Sequence, residues 1–387
     1  MNTLKILKDI NSLDKPYIIY KKPKGFDLFT NFSKKIILSN KNVVDFVNSI
    51  PFSKKKLKKT DLYIGFFGYE ILNYLIGIKF SKKRKNHFPK GIFYKPETII
   101  NLNENLIFTP LNDEKKKKQF KININKKNYT KIFDKFKKKI KQGETYQIKI
   151  CTKYKNKSAI DPLDFFCRLS KSNLAPEAFL IKDKNYSVIS CSPETLIQKK
   201  GRSITTKPIA GTLKKNKNLN KKKAMRYFKK NIKETKEHNM IVDMERNDLS
   251  RICVPGSVKI EKEKTIEEYK DLFHYVSFIK GKLKDKIRTI NIIKSMMPGG
   301  SVIGCPKIST LNLLNNQEKE SRNIYTGSFG FIKFNGDMRF NIIIRSILNY
   351  KNISEISVAS GVVIDSNASN EFNENFIKAK ALIDLFK

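Results

Sequence analysis

The spacing of apolar residues changes several times along the chain, and each change predicts an element. Tyr129, Ile132, Phe133, Phe136 and Ile140 recur at three- and four-residue steps, which marks one face of a helix that Gly143 should end. "ETYQIKICTKY" (144–154) follows as a strand, and "NYSVISCSPETLIQ" (185–198) reads as a strand entering a Ser-Pro turn. "FIKFNGDMRFNIIIRSI" (331–347) predicts a hairpin turning at Asn335-Gly336. On its second strand the period of two puts Asn341, Ile343 and Arg345 on one face, and Phe340, Ile342 and Ile344 on the other. A final helix is expected to bury Phe372, Phe376, Ala379, Ile383 and Phe386. The most apolar stretch, "LYIGFFGYEILNYLIGIKF" (62–80), is interrupted by Glu70 and Asn73. It therefore predicts a buried strand and helix rather than a membrane span, which needs about 20 apolar residues with few or no charges.

Strands scattered among helices, with no fixed-period repeat, predict a mixed α+β fold. The run "NDEKKKKQFKININKKN" reads as a solvated connector. It divides the chain into an N-terminal region (1–111), a charged connector (112–127) and a core (128–387).

Charge changes this picture little. The chain has 79 Lys and Arg against 36 Asp and Glu, a net charge of +43, which raises the question of a polyanionic partner. Lysine, asparagine and isoleucine are enriched along the whole length, arginine is scarce, and no basic helix carries interleaved aromatics. The expectation is a solvated lysine surface with neither nucleic acid nor membrane as partner; a nucleic-acid-binding protein is the rival reading, carried by charge alone. Cys151, Cys167, Cys191, Cys253 and Cys305 form no CxxC pair, and no secretory leader is visible. Reduced thiols in a cytoplasmic compartment are expected.

Candidate chemistry is sparse at the level of spacing. "PGGSVIGCPK" (298–307) is glycine-rich, but Cys305 follows Gly304 where a phosphate-binding loop needs Lys. Its backbone N–H groups could still face an anion ahead of the helix expected from Lys307. His87, His238 and His274 are too far apart for a local metal motif. Glu234 and Glu237 stand three apart on a predicted helix, as do Glu371 and Glu374 on the last one, where Lys378 completes the stripe. Spacing alone leaves two readings of each pair open: a solvated helix face, or oxygen ligands for Mg²⁺.

Nine collinear segments carry a resemblance: "GETYQIKI", "SCSPETLI", "TTKPIAGT", "EHNMIVDMERNDLSRICVPGSV", "HYVS", "MPGGSVIGCPKI", "YTGSFGFIKFNGDM", "FNIIIRS" and "SGVVIDSNASNEFNENFIKAKAL". They span residues 143–387 and resemble the chorismate-utilising enzymes, with "YIGFFGYE" a weaker match near the N-terminus. The resemblance implies antiparallel β-sheets in a sandwich core flanked by helices. It implies Glu237 and Glu374 as Mg²⁺ ligands, with Glu234 and Glu371 acting through water. It implies Glu194 as the general acid that protonates the departing 4-hydroxyl, and His274 as an orienting group near the ring. Arg345, Tyr325, Lys378, Ser301 and the backbone at Gly361 are implied in substrate binding, and Gln147, Ala210 and Thr212 in the catalytic wall.

Within that resemblance two positions separate chemistries. Relatives that add water resemble one another in having a lysine base where this chain has Gln147, which cannot act as a base, so ammonia is implied as nucleophile. Many aminodeoxychorismate synthases have a nucleophilic lysine where this chain has Ala210. "PIAGT" taken alone suits the anthranilate route, whereas "YQI", "VPGSV", "PGGS" and "YTGSFG" look more like the p-aminobenzoate branch. The expected activity is amination of chorismate to 4-amino-4-deoxychorismate, with anthranilate synthase component I as the alternative. A separate glutamine amidotransferase subunit is the expected ammonia donor. Ser250, Ala359 and Lys207 depart from the pattern, replacing two glycines and an arginine.

Overall fold

The computed structural model describes residues 9–12, 14–78, 88–102, 119–173, 175–216, 218–269 and 272–386. His87 and residues 112–118 of the expected connector lie outside them. The fold is mixed α+β. Among the described residues, eighteen strands join through antiparallel pairings into one curled sheet, with helices packed around it. Tyr17–Lys21 pairs with Glu177–Asp183, and Leu62–Phe67 with Ser328–Lys333, so early and late strands share the sheet.

Local chemistry explains several boundaries. Asn125 caps the helix Lys126–Lys141, its side chain accepting from the N–H of Asn128. That helix buries Tyr129, Phe133 and Phe136, carries Lys138, Lys139 and Lys141 in its last turn, and is followed by Gly143 at φ +76°. Its apolar face meets the next strand, Gln147–Lys157, through Ile148 and Ile150. That strand pairs along its length with Ile353–Val362, Lys149 opposite Gly361, and at its start with Gly304–Cys305. The 62–80 stretch forms the buried strand Leu62–Phe67 and helix Tyr69–Leu75.

Two expectations need correction. The hairpin turns around Asn335-Gly336, but its second strand stops at Asn341 and residues 342–344 leave strand geometry. Arg345 adopts φ +50°, a left-handed conformation that ends the alternation. Asn341 is fully buried, donating to the Glu177 carbonyl and accepting from the N–H of Phe329. In the last helix, Ala368–Ile383, the buried stripe is Glu371, Asn375, Ala379 and Leu382, whereas Phe376 is 50% exposed. Phe372, as expected, packs against Tyr129, but the inward position expected of Phe376 is taken by Glu371 and Asn375. Phe386 is buried beyond the helix in a short 3₁₀ turn.

All five cysteines are free thiols, four of them buried. Among the described residues, no helix is long and apolar enough to cross a membrane.

Candidate active site

Helices Ile232–Ile252 and Ala368–Ile383, far apart in sequence, face one cavity of about 540 Å³. Glu234 and Glu237 line it from the first helix, Glu371 and Glu374 from the second. Glu237 Oε1 accepts from Lys149 Nζ at 2.9 Å and from Gln147 Nε2 at 2.8 Å. Burial works against its charge, but the Lys149 ammonium and these donors outweigh burial and hold the carboxyl down at about 2. Burial likewise opposes the charge of Glu374, yet Lys378 at 2.6 Å keeps that carboxyl low. Lys378 also donates to the Ala359 carbonyl at 3.0 Å. Ser366 Oγ donates to Glu371 Oε1 at 3.0 Å.

The donor set is all oxygen. Among the described residues, no three His, Cys, Asp or Glu side chains converge into a metal cage. Two carboxylates on facing helices instead fit an ion such as Mg²⁺, which keeps several waters and takes its remaining oxygens from a substrate.

Glu194, in the turn before the strand Thr195–Lys200, is 4% exposed. Burial pushes its carboxyl up to about 7, against a lowering influence from Ser301, Lys149 and Arg345. Ser301 Oγ donates to Glu194 Oε1 at 2.7 Å. The glycine before it bears on that placement: a Cβ on Gly300 would lie 2.0 Å from Met244 Sδ, so any side chain there would make Met244 of the helix Ile232–Ile252 shift. Two of the loop amides expected to face an anion are spent internally. The N–H groups of Val302 and Ile303 donate to Gly299 and Gly300 carbonyls within the loop, and Lys307 Nζ pairs with Asp248.

Arg345 lines the cavity with no ion-pair partner among the described residues, and burial lowers its pKa. Tyr325, Ala210, Thr212 and Gly361 line the same space. His274 is buried behind Thr212, its Nδ1 2.9 Å from Thr212 Oγ1, because the strands Ile209–Lys214 and Leu272–Lys282 put these two residues opposite each other. Burial first, and then Arg345, lowers the His274 pKa to about 4, so the imidazole is neutral. His274 and Gln147 thus stand outside the cavity wall, and the other twelve expected residues form part of it. Of the departures, Ala359 lines the cavity, Lys207 pairs with Glu267 at 3.0 Å, and the exposed Ser250 bonds its own helix at Arg246. Sequence reasoning missed Lys149, although its spacing of two from Gln147 on a strand puts both on one face.

A family model described as chorismate binding enzyme matches residues 15–384. Aminodeoxychorismate synthase component 1 of Bacillus subtilis is 34% identical over 255 residues, covering 66% of this chain and 54% of that protein, so the chain spans about half of that relative. Anthranilate synthase component 1 of Saccharolobus solfataricus is 30% identical over 358 residues, covering 87% of this chain and 85% of that one. Anthranilate synthase component I from Streptococcus pneumoniae superposes with a TM-score of 0.76 at 23% identity, covering 95% of this chain and 90% of that chain. The menaquinone-specific isochorismate synthase MenF of Escherichia coli gives 0.79 at 15% identity, covering 100% and 92%. These two structural likenesses speak to the fold, while the family model and the closer relatives speak to descent: the chain belongs to the chorismate binding enzyme family.

Proposed function

We propose that the protein aminates chorismate to 4-amino-4-deoxychorismate, as the first component of a two-subunit synthase supplied with ammonia by a glutamine amidotransferase. The observation that carries the chemistry is Glu194: a buried carboxyl, held by Ser301 and raised to about 7, in the same cavity as Arg345 and four glutamates. A carboxylic acid with that pKa carries a proton near neutral pH and can deliver it to a leaving hydroxyl. Arg345, unpaired among the described residues, supplies the bidentate fork for one substrate carboxylate. Glu237 and Glu374 would hold Mg²⁺, which when bound neutralises the second carboxylate against this acidic wall. The Gln147 amide donates to Glu237 and has no basicity to activate water, which supports ammonia over water as the nucleophile. The likeness to component 1 proteins supports a separate ammonia-supplying subunit.

The alternative, anthranilate synthase component I, has a specific observation in its favour. Ala210 lines the cavity where an amine would be needed for covalent catalysis, so the wall suits direct attack by ammonia. Incubation with chorismate, Mg²⁺ and ammonium, with products identified by mass and fluorescence, separates the two. 4-Amino-4-deoxychorismate without pyruvate supports the first reading, anthranilate with pyruvate replaces it by the second, and unchanged chorismate overturns both.

A further inference from the structure

The function above gives Lys149 no task, yet its ammonium lies in the middle of the acidic wall. Lys149 sits on the strand Gln147–Lys157 with its side chain 12% exposed and its Nζ 2.9 Å from Glu237 Oε1. Glu374 and Glu371, from the other helix, also act on its charge. Space for it comes from its strand neighbour Gly361: a Cβ there would lie 2.7 Å from Lys149 Nζ and 2.9 Å from Gln147 Nε2. Lys378 differs, being 45% exposed at the rim and bound to Glu374 and the Ala359 carbonyl. The wall therefore contains a fixed cation of its own, joined to a carboxylate that the proposed function assigns to a metal ion.

We propose that Lys149 is a tethered cation that occupies Glu237 in the free enzyme and turns to a carboxylate of chorismate when the divalent ion takes Glu237. This rests on the reading of Glu237 as an ion ligand. Two cations cannot share one carboxylate in a partly dry cavity without strong repulsion. An ion arriving alone must displace Lys149 and leave its charge without a partner. Chorismate, a dianion, supplies that partner. Ion and substrate then favour each other's binding, and by linkage the coupling is equal in both directions.

The test uses Lys149→Met, which keeps the length and removes the charge, and Lys149→Arg, which keeps the charge. Mg²⁺ alone is titrated calorimetrically into each folded protein, with thermal melts as the control for folding. Lys149→Met should bind Mg²⁺ at least about tenfold more tightly than wild type, and Lys149→Arg should match wild type within about twofold. At saturating Mg²⁺ and without ammonium, chorismate binding should weaken by about tenfold or more in Lys149→Met and persist in Lys149→Arg. Unchanged Mg²⁺ affinity together with unchanged chorismate affinity in Lys149→Met would overturn the proposal. If neither wild type nor any variant binds Mg²⁺, the ion reading of Glu237 itself fails; if wild type binds Mg²⁺ and Lys149→Met changes neither affinity, the proposal alone fails.

Discussion

Replacing Glu194 by glutamine gives a prediction in which stability and activity change together. Glutamine keeps the shape and the capacity to accept from Ser301 Oγ, and removes only the titration. The Glu194 carboxyl is raised from 4.5 to about 7, principally by burial. A group whose folded pKa lies above its unfolded one stabilises the fold fully below the unfolded value, and that contribution disappears as pH rises through the folded value. Each pH unit in that window is worth about 1.4 kcal/mol, so the wild type should lose about 3 kcal/mol between pH 4.5 and 8 that Glu194→Gln does not. Glu245, raised to about 8 by burial, is present in both proteins, and its own titration largely cancels in the difference. The assay is denaturant unfolding of both proteins at half-unit pH steps, with turnover of chorismate measured alongside. Wild-type turnover should fall as pH rises through about 7, where the acid loses its proton, and the variant should be inactive throughout. Parallel stability curves for the two proteins would refute the burial argument, whatever the activity showed.

The remaining predictions concern the wall around that acid. Gly300→Ala should lower stability by about 1–3 kcal/mol and draw Ser301 away from Glu194, because the new methyl meets Met244; thermal melting and kcat check it. Arg345→Gly should raise the KM for chorismate strongly yet cost little stability, or add about 1 kcal/mol, because glycine relieves the left-handed backbone at φ +50°; a melting curve below wild type would contradict this. Ala210→Lys should place an amine in the wall, and mass spectrometry without added ammonium should then show a chorismate-derived adduct that wild type never forms.

Much of this site was legible in the sequence, and the parts that were not share a physical cause. The two ExxE pairs mark their helix faces by spacing alone, and Asn335-Gly336 marks its turn through one residue's conformation. The break after Asn341 left no such trace. Asn341 and the isoleucines after it fit an alternating strand, and the groups that hold Asn341, the Glu177 carbonyl and the Phe329 N–H, come from distant segments. The outward turn of Phe376 is similar, since Glu371 takes the inward face at the cavity and Asn375 donates to the Ile150 carbonyl. The neighbours of the glycines at 299 and 300, Ile342 and Leu196 for the first and Met244 for the second, lie in other segments, so the sequence around the glycines carries no sign of them. Lys149 was hidden by abundance: among 79 Lys and Arg, one lysine on a strand draws no notice until its carboxylate partner is in place.

The account depends on two helices, distant in sequence, contributing to one ion site. The direct measurement is the Mg²⁺ concentration for half-maximal chorismate consumption in Glu237→Gln, Glu374→Gln and the double variant. Each single change should raise it by about tenfold or more, and the double should fall well short of the summed penalties, because both carboxylates serve one ion. A Glu374→Gln protein with the wild-type Mg²⁺ requirement would contradict the account.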